Sequence, residues 1–157
     1  SPTCTPVDKV AAESLAQIAG IDVESYANEM FLAASNLRKK SEEEIFFQDF
    51  KKFSADDISF GISQITSLNE EELKMLGARL KPCLEQFRKN QHVEMVFFMA
   101  TDIVKESSTL YYAGEDVDSI LEVLYGHAGT NGSIELPGVV SRKKQLVPAL
   151  IQAIQQI

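Results

Sequence analysis

The sequence predicts an α/β fold: a mixed β-sheet of four to five strands flanked by helices and preceded by two N-terminal helices. Three observations carry this. Val93 to Thr101 is a nearly continuous apolar run, short and partly β-branched or aromatic, which marks a central strand covered on both faces. Ile58, Phe60, Ile62 and Gln64 alternate with Ser59, Gly61 and Ser63, the period of a half-buried strand. Asn69 caps a long helical stretch whose apolar face is Leu73, Leu76, Leu80, Leu84 and Phe87.

In chain order, Thr5-Pro6 supplies an N-cap and a first-turn proline ahead of Val7, Val10, Ala11, Leu15 and Ile18, and Gly20 stops that helix. Asp22 caps a second helix with Val23, Tyr26, Met30 and Phe31 along one side. Ser35 to Lys40 changes character, with a break at Ser35-Asn36 and the charge run Arg38-Lys39-Lys40, and reads as a linker. Ser41 to Glu44 fits a capping box that opens a short helix through about Phe47. Asp49 to Phe53 spaces its apolar residues by three around the basic pair Lys51-Lys52. The helix after Asn69 is acidic at its start and basic at its end, as the dipole favours, and Pro82 inside it predicts a kink or break. Thr109 to Ala113 reads as a strand, Asp116 to Tyr125 as a helix closed by Gly126, Gly129 to Gly132 as a turn, and about Ile134 to Val140 as a strand. Leu146, Leu150, Ile154 and Ile157 space out a last helix, with Pro148 in its early turns.

Whole-chain quantities bound the function. At 157 residues and 45% hydrophobic composition the chain can bury one sizeable core. Its net charge of −8 argues against nucleic acid or an anionic membrane as the main partner. No acidic residue follows Glu135, however, so Arg142, Lys143 and Lys144 form a local basic patch. Cys4 and Cys83 match no zinc or redox spacing, no apolar run is long enough for a bilayer, and no signal peptide opens the chain; a cytoplasmic protein is expected.

The chemistry concentrates at Gly138 to Pro148. Three consecutive cations sit where a strand hands over to a helix, and a helix N-terminus with Arg and Lys side chains suits phosphate. A solvated first turn fits the pattern equally well. Elsewhere His92 and His127 belong to no metal-ligand grouping, and Walker, dinucleotide and nucleophile-elbow motifs are lacking. Asp102, at a strand end, is a candidate general base or a turn cap.

The run Gly138-Val-Val-Ser-Arg-Lys-Lys-Gln-Leu-Val-Pro148 closely resembles the C-terminal signature of family II, manganese-dependent inorganic pyrophosphatases of the DHH phosphoesterase superfamily. Ser1 to Thr5, Ile18 to Ile21, Tyr26 with Met30, Asp49 to Lys51 and Thr101 to Ile103 resemble family segments in family order. The resemblance implies hydrolysis of pyrophosphate to two phosphates, with manganese or cobalt held in an N-terminal DHH domain that this chain lacks. It implies that Arg142, Lys143 and Lys51 bind substrate, with Ser141 in support as a helix cap and Lys144 as a contributor to the local field. By the same resemblance, residues 1–35 are the helical tail of the catalytic domain, 36–40 the hinge, and 41–157 the DHH-associated domain. The chain alone is expected to bind phosphate or pyrophosphate weakly, to hydrolyse nothing, to hold no metal, and to self-associate through its first two helices. A related exopolyphosphatase and a non-catalytic anion-binding module remain open as alternatives.

Overall fold

The computed structural model describes residues 37–157, so the two expected N-terminal helices and Cys4 lie outside the described residues. Five strands form one mixed sheet in the order β1-β2-β3-β4-β5: Phe50–Ala55, Ile58–Ser67, Met95–Asp102, Ser107–Ala113 and Ser133–Pro137. Neighbours run antiparallel except β2 and β3, which are parallel from Phe60↔Met95 to Ser67↔Asp102. A parallel pair needs a crossover. It is supplied by α2 (Glu70–Leu80) and α3 (Leu84–Gln91), joined by a 3₁₀ turn at Lys81–Cys83 where Pro82 interrupts the helix. With α1 (Glu42–Phe47), these helices cover one face of the sheet; α4 (Val117–Tyr125) and α5 (Val147–Ile154) cover the other.

Local chemistry explains where the helices begin and end. Ser41 and Glu44 form the complete capping box at the start of α1, Asn69 Oδ1 accepts the N–H of Glu72, and Gly126 ends α4 in the left-handed region. The core is two-sided. Phe60, Phe97 and Leu110 pack toward α4 and α5, while Phe98 joins Phe46 and Phe87 under the opposite helices. Every residue of β3 is buried, as its apolar run requires.

The structure differs from the sequence reading in four places. Asp49 to Phe53 contributes an edge strand, β1, which turns into β2 through Asp56 and Asp57, both with positive φ (48° and 67°). β2 is not half-buried: Gly61, Ser63 and Ser67 are buried beneath helices, not exposed to solvent, and Ser63 Oγ donates to Phe46 O at 2.6 Å. The Phe50 ring packs over Gly61, so a side chain there would have to displace that ring. β5 stops at Pro137, where Gly138 (φ +79°) turns the chain, so a loop separates strand from basic stretch. Ile157 is 55% exposed beyond the end of α5, not on the core face.

Candidate functional site

The basic stretch does not open as an ordinary α-helix. Arg142–Leu146 is a wide π-type turn in which Ser141 O accepts N–H groups from both Gln145 and Leu146, each at 3.1 Å. Ser141 Oγ accepts the N–H of Lys144 at 3.0 Å. Arg142 and Lys143, the first two residues of the turn, keep backbone N–H groups unclaimed within it. Pro148 then falls in the first turn of α5, directly after this wide turn, and offers no N–H to the turn's carbonyls.

This turn faces the outer strand of the sheet. Lys51 from β1 and Arg142 and Lys143 from the turn line one cleft of about 570 Å³, together with Gln64, Thr66 and Ser141. Lys144 is exposed and is not among the cleft-lining residues; Lys52, also exposed, is not among them either. The three cations come from opposite ends of the described chain, and the sheet brings them together because β1 is the strand next to β2.

Arg142 is the unexpected member. It is 8% exposed, and its guanidinium donates to Asp49 O at 2.8 Å, Ile62 O at 3.0 Å and Asp49 Oδ1 at 2.7 Å. Three of its five N–H donors are thus spent on the protein. The remaining two leave it able to contribute to an anion site while it ties β1, β2 and the turn together. Its charge is partly offset by Asp49, so Lys51 and Lys143 supply most of the uncompensated positive field in the cleft.

Other sequence candidates lie elsewhere. Asp102 Oδ1 accepts the N–H of Lys105 at 3.0 Å, a turn-capping role, and lines a groove on the α2 face of the sheet with Glu70 and Glu135. His92 and His127 are exposed. Cys83 is a free thiol, its pKa raised by burial. Among the described residues no group of three or more His, Cys, Asp and Glu side chains is placed to hold a metal ion, so these residues do not fit a manganese or cobalt centre.

Comparison with known proteins decides the family. The DHHA2 domain profile matches residues 28–153. The chain belongs to the DHHA2 domain family. Over 154 residues this DHHA2 domain chain is 39% identical to the cobalt-dependent inorganic pyrophosphatase of Clostridium perfringens, covering 98% of this chain and 28% of that protein. It is 35% identical over 160 residues to the manganese-dependent inorganic pyrophosphatase of Methanothrix thermoacetophila, covering 99% of this chain and 50% of the relative. A crystal structure from Methanococcus jannaschii, described as a family II inorganic pyrophosphatase, superposes with a TM-score of 0.71 at 34% identity, covering 94% of this chain and 48% of that one. The DHHA2 chain therefore spans about half the length, or less, of these relatives. The resemblance carried by Gly138 to Pro148 is that of its family, and the mixed five-stranded sheet with flanking helices is the fold of its structural neighbour.

Asp49, Gln64, Thr66 and Gln145 are polar residues in or beside the cleft to which the sequence alone assigned no role. Gln145 was within the motif already quoted. Asp49 stood beside Lys51 in the Asp-x-Lys segment, which was a local signal for an Arg partner.

Proposed function

We propose that this chain is the C-terminal, substrate-binding part of a family II inorganic pyrophosphatase, a hydrolase that converts pyrophosphate and water to two phosphates. The observation that carries the reading is the convergence of Lys51, Arg142 and Lys143 on one cleft at the mouth of the basic turn. The names of its relatives supply the activity and the manganese or cobalt requirement. A bound metal would supply activation of the attacking water, and the residues that would hold it would lie outside the described residues.

This chain's own residues bind and orient. Lys51 and Lys143 are exposed point charges that neutralise the oxygens of pyrophosphate and the charge that develops on the leaving phosphate. Arg142 adds its two unspent N–H donors from a fixed position, so it loses little freedom on binding. The backbone N–H groups at the start of the turn complete the donor set, and Ser141 shapes the turn by capping Lys144. Lys144 contributes to the field from outside the cleft.

In this proposal residues 1–35 belong to the catalytic domain, 36–40 form the hinge and 41–157 close over the metal site; Arg79 donates to Leu37 O at 3.2 Å and Lys40 O at 2.6 Å, which anchors the hinge on this side. Closure excludes bulk water from the bound pyrophosphate. The described residues contain no helix long and apolar enough to cross a membrane, and we place the protein in the cytoplasm. We also propose that this chain, without the catalytic domain, self-associates through residues 1–35, for which a concentration-independent monomer mass is the opposing result.

The test is turnover by the complete protein. Metal-dependent release of phosphate from pyrophosphate, weakened by Lys143→Ala and Lys51→Ala, is expected. Faster turnover of polyphosphate than of pyrophosphate favours the exopolyphosphatase reading instead. Pyrophosphate binding without turnover favours the anion-binding module.

A further inference from the structure

The loop between β5 and the basic turn is held in an unusual way. Three successive carbonyls are each taken by a side-chain donor from a different part of the fold. Gln145 Nε2 donates to Gly138 O at 2.9 Å, Ser108 Oγ to Val139 O at 2.6 Å, and Gln64 Nε2 to Val140 O at 3.1 Å. The same Gln145 amide accepts, through Oε1, the N–H groups of Val140 at 2.8 Å and Ser141 at 2.9 Å. One exposed side chain thus makes three hydrogen bonds to a four-residue loop.

Core packing accounts for only part of this: Val139 packs against the core, and the residues around it do not. Gln145 is exposed, Val140 is 40% exposed, and Gly138 has open space around it. Loop segments of this kind normally fluctuate. The anchoring network runs inward from Val140 O through Gln64 to Thr101 Oγ1, which pairs with Ser108 Oγ at 2.8 Å, so the loop is referenced to β2, β3 and β4 together. It ends where Ser141 begins the turn that carries Arg142 and Lys143. A carbonyl already engaged by a donor is also not presented as a bare oxygen to an incoming anion, which it would repel.

Resting on the pyrophosphate reading above, we infer that Gln145, assisted by Gln64, is a positioning residue of the anion site: its amide clasps the Gly138–Ser141 loop and so preforms the basic turn before substrate arrives. Gln145 touches no substrate in this scheme. Its contribution is preorganisation, since a loop residue ordered at the ligand's expense weakens binding by about tenfold.

The experiment is steady-state pyrophosphate hydrolysis by the complete protein, wild type, Gln145→Ala and Gln145→Glu, with thermal unfolding of each. For Gln145→Ala, KM rises about tenfold while kcat stays within about threefold and Tm within about 2 °C, because only exposed hydrogen bonds are lost. Gln145→Glu keeps the acceptor for the Val140 and Ser141 N–H groups at neutral pH, but it lacks the donor to Gly138 O and adds a negative charge near the anion site, so its KM also rises. Measured against wild type at the same pH, it recovers as the pH falls through the carboxylate range, where the protonated acid again donates to Gly138 O. A KM unchanged in Gln145→Ala overturns the inference, as does a loss confined to kcat with a matching fall in Tm, the mark of a merely structural role. A wild type that neither binds nor hydrolyses pyrophosphate overturns the functional reading and this inference with it. A wild type that turns over, with Gln145→Ala unaffected, overturns the inference alone.

Discussion

Arg142→Ala is expected to damage the fold as well as the cleft, and the structure gives the size of the effect. The guanidinium makes two hydrogen bonds to backbone carbonyls and one to the Asp49 carboxylate. Hydrogen bonds from a charged donor contribute about 1.5–3 kcal/mol each. The Asp49 side chain is 39% exposed and regains water when Arg142 is removed, so that bond is discounted. The two carbonyl bonds leave a loss of about 3 kcal/mol, which for a domain of this size lowers Tm by about 10 °C. Arg142→Lys recovers little, because one ammonium cannot reproduce a fork that reaches two carbonyls and a carboxylate. Lys143→Ala is the control: exposed and charged, it lowers pyrophosphate affinity about tenfold and shifts Tm by about 2 °C or less. Thermal unfolding and titration calorimetry on the same three variants check both quantities. An Arg142→Ala protein that melts within about 3 °C of wild type refutes the reasoning, because it would show that the three bonds contribute nothing to the fold.

The other predictions concern the rest of the molecule. Glu72 is 6% exposed, and burial raises its pKa above the usual 4.5 against smaller opposing effects of the Ser67 hydroxyl and Arg38. A raised folded pKa contributes stability that is present below the unfolded value and lost as pH rises through the folded one; Glu72→Gln is therefore expected to melt above wild type at neutral pH, and the gap in Tm closes below about pH 4.5. A side chain at Gly77 would overlap the ring of Tyr111, which stacks on Phe98 at 5.9 Å. Gly77→Ala accordingly costs about 1–3 kcal/mol despite its better helix propensity, and Tyr111→Leu in the same protein recovers part of it, as urea unfolding measures. Pyrophosphate affinity weakens steadily between about 0.05 and 0.5 M salt, since Lys51 and Lys143 act from exposed positions that ions screen; a salt-independent Kd contradicts their assignment.

Local chemistry made much of the fold legible. The Ser41–Glu44 box, the Pro82 interruption, the Gly126 stop and the buried run of β3 each follow from residues within a turn or two of one another. β1 was harder, because its turn uses Asp56 and Asp57 in the left-handed region without a glycine to advertise it. The second buried face of β2 was unreadable for a different reason: Ser63 and Gly61 look like solvent residues until Phe46 and Phe50 arrive from elsewhere. At the cleft, spacing alone located the basic turn, and only the family resemblance joined Lys51 to it. The Arg142 contacts with Asp49 and Ile62 span 93 and 80 positions, a distance over which no periodicity operates.

Those two spans also set an order of events during synthesis. A nascent chain that has emerged through β5 possesses every strand of the sheet, yet the carbonyls of Asp49 and Ile62 still await their guanidinium. The edge strand at one end of the sheet is fastened by a residue that follows the last strand of that sheet. Because non-local closures of this length are the slow and late ones, the cleft is completed only after nearly the whole domain is made. The proposed anion site therefore depends on Arg142 and the turn it opens, and truncation before Arg142 is expected to leave the five strands without that turn.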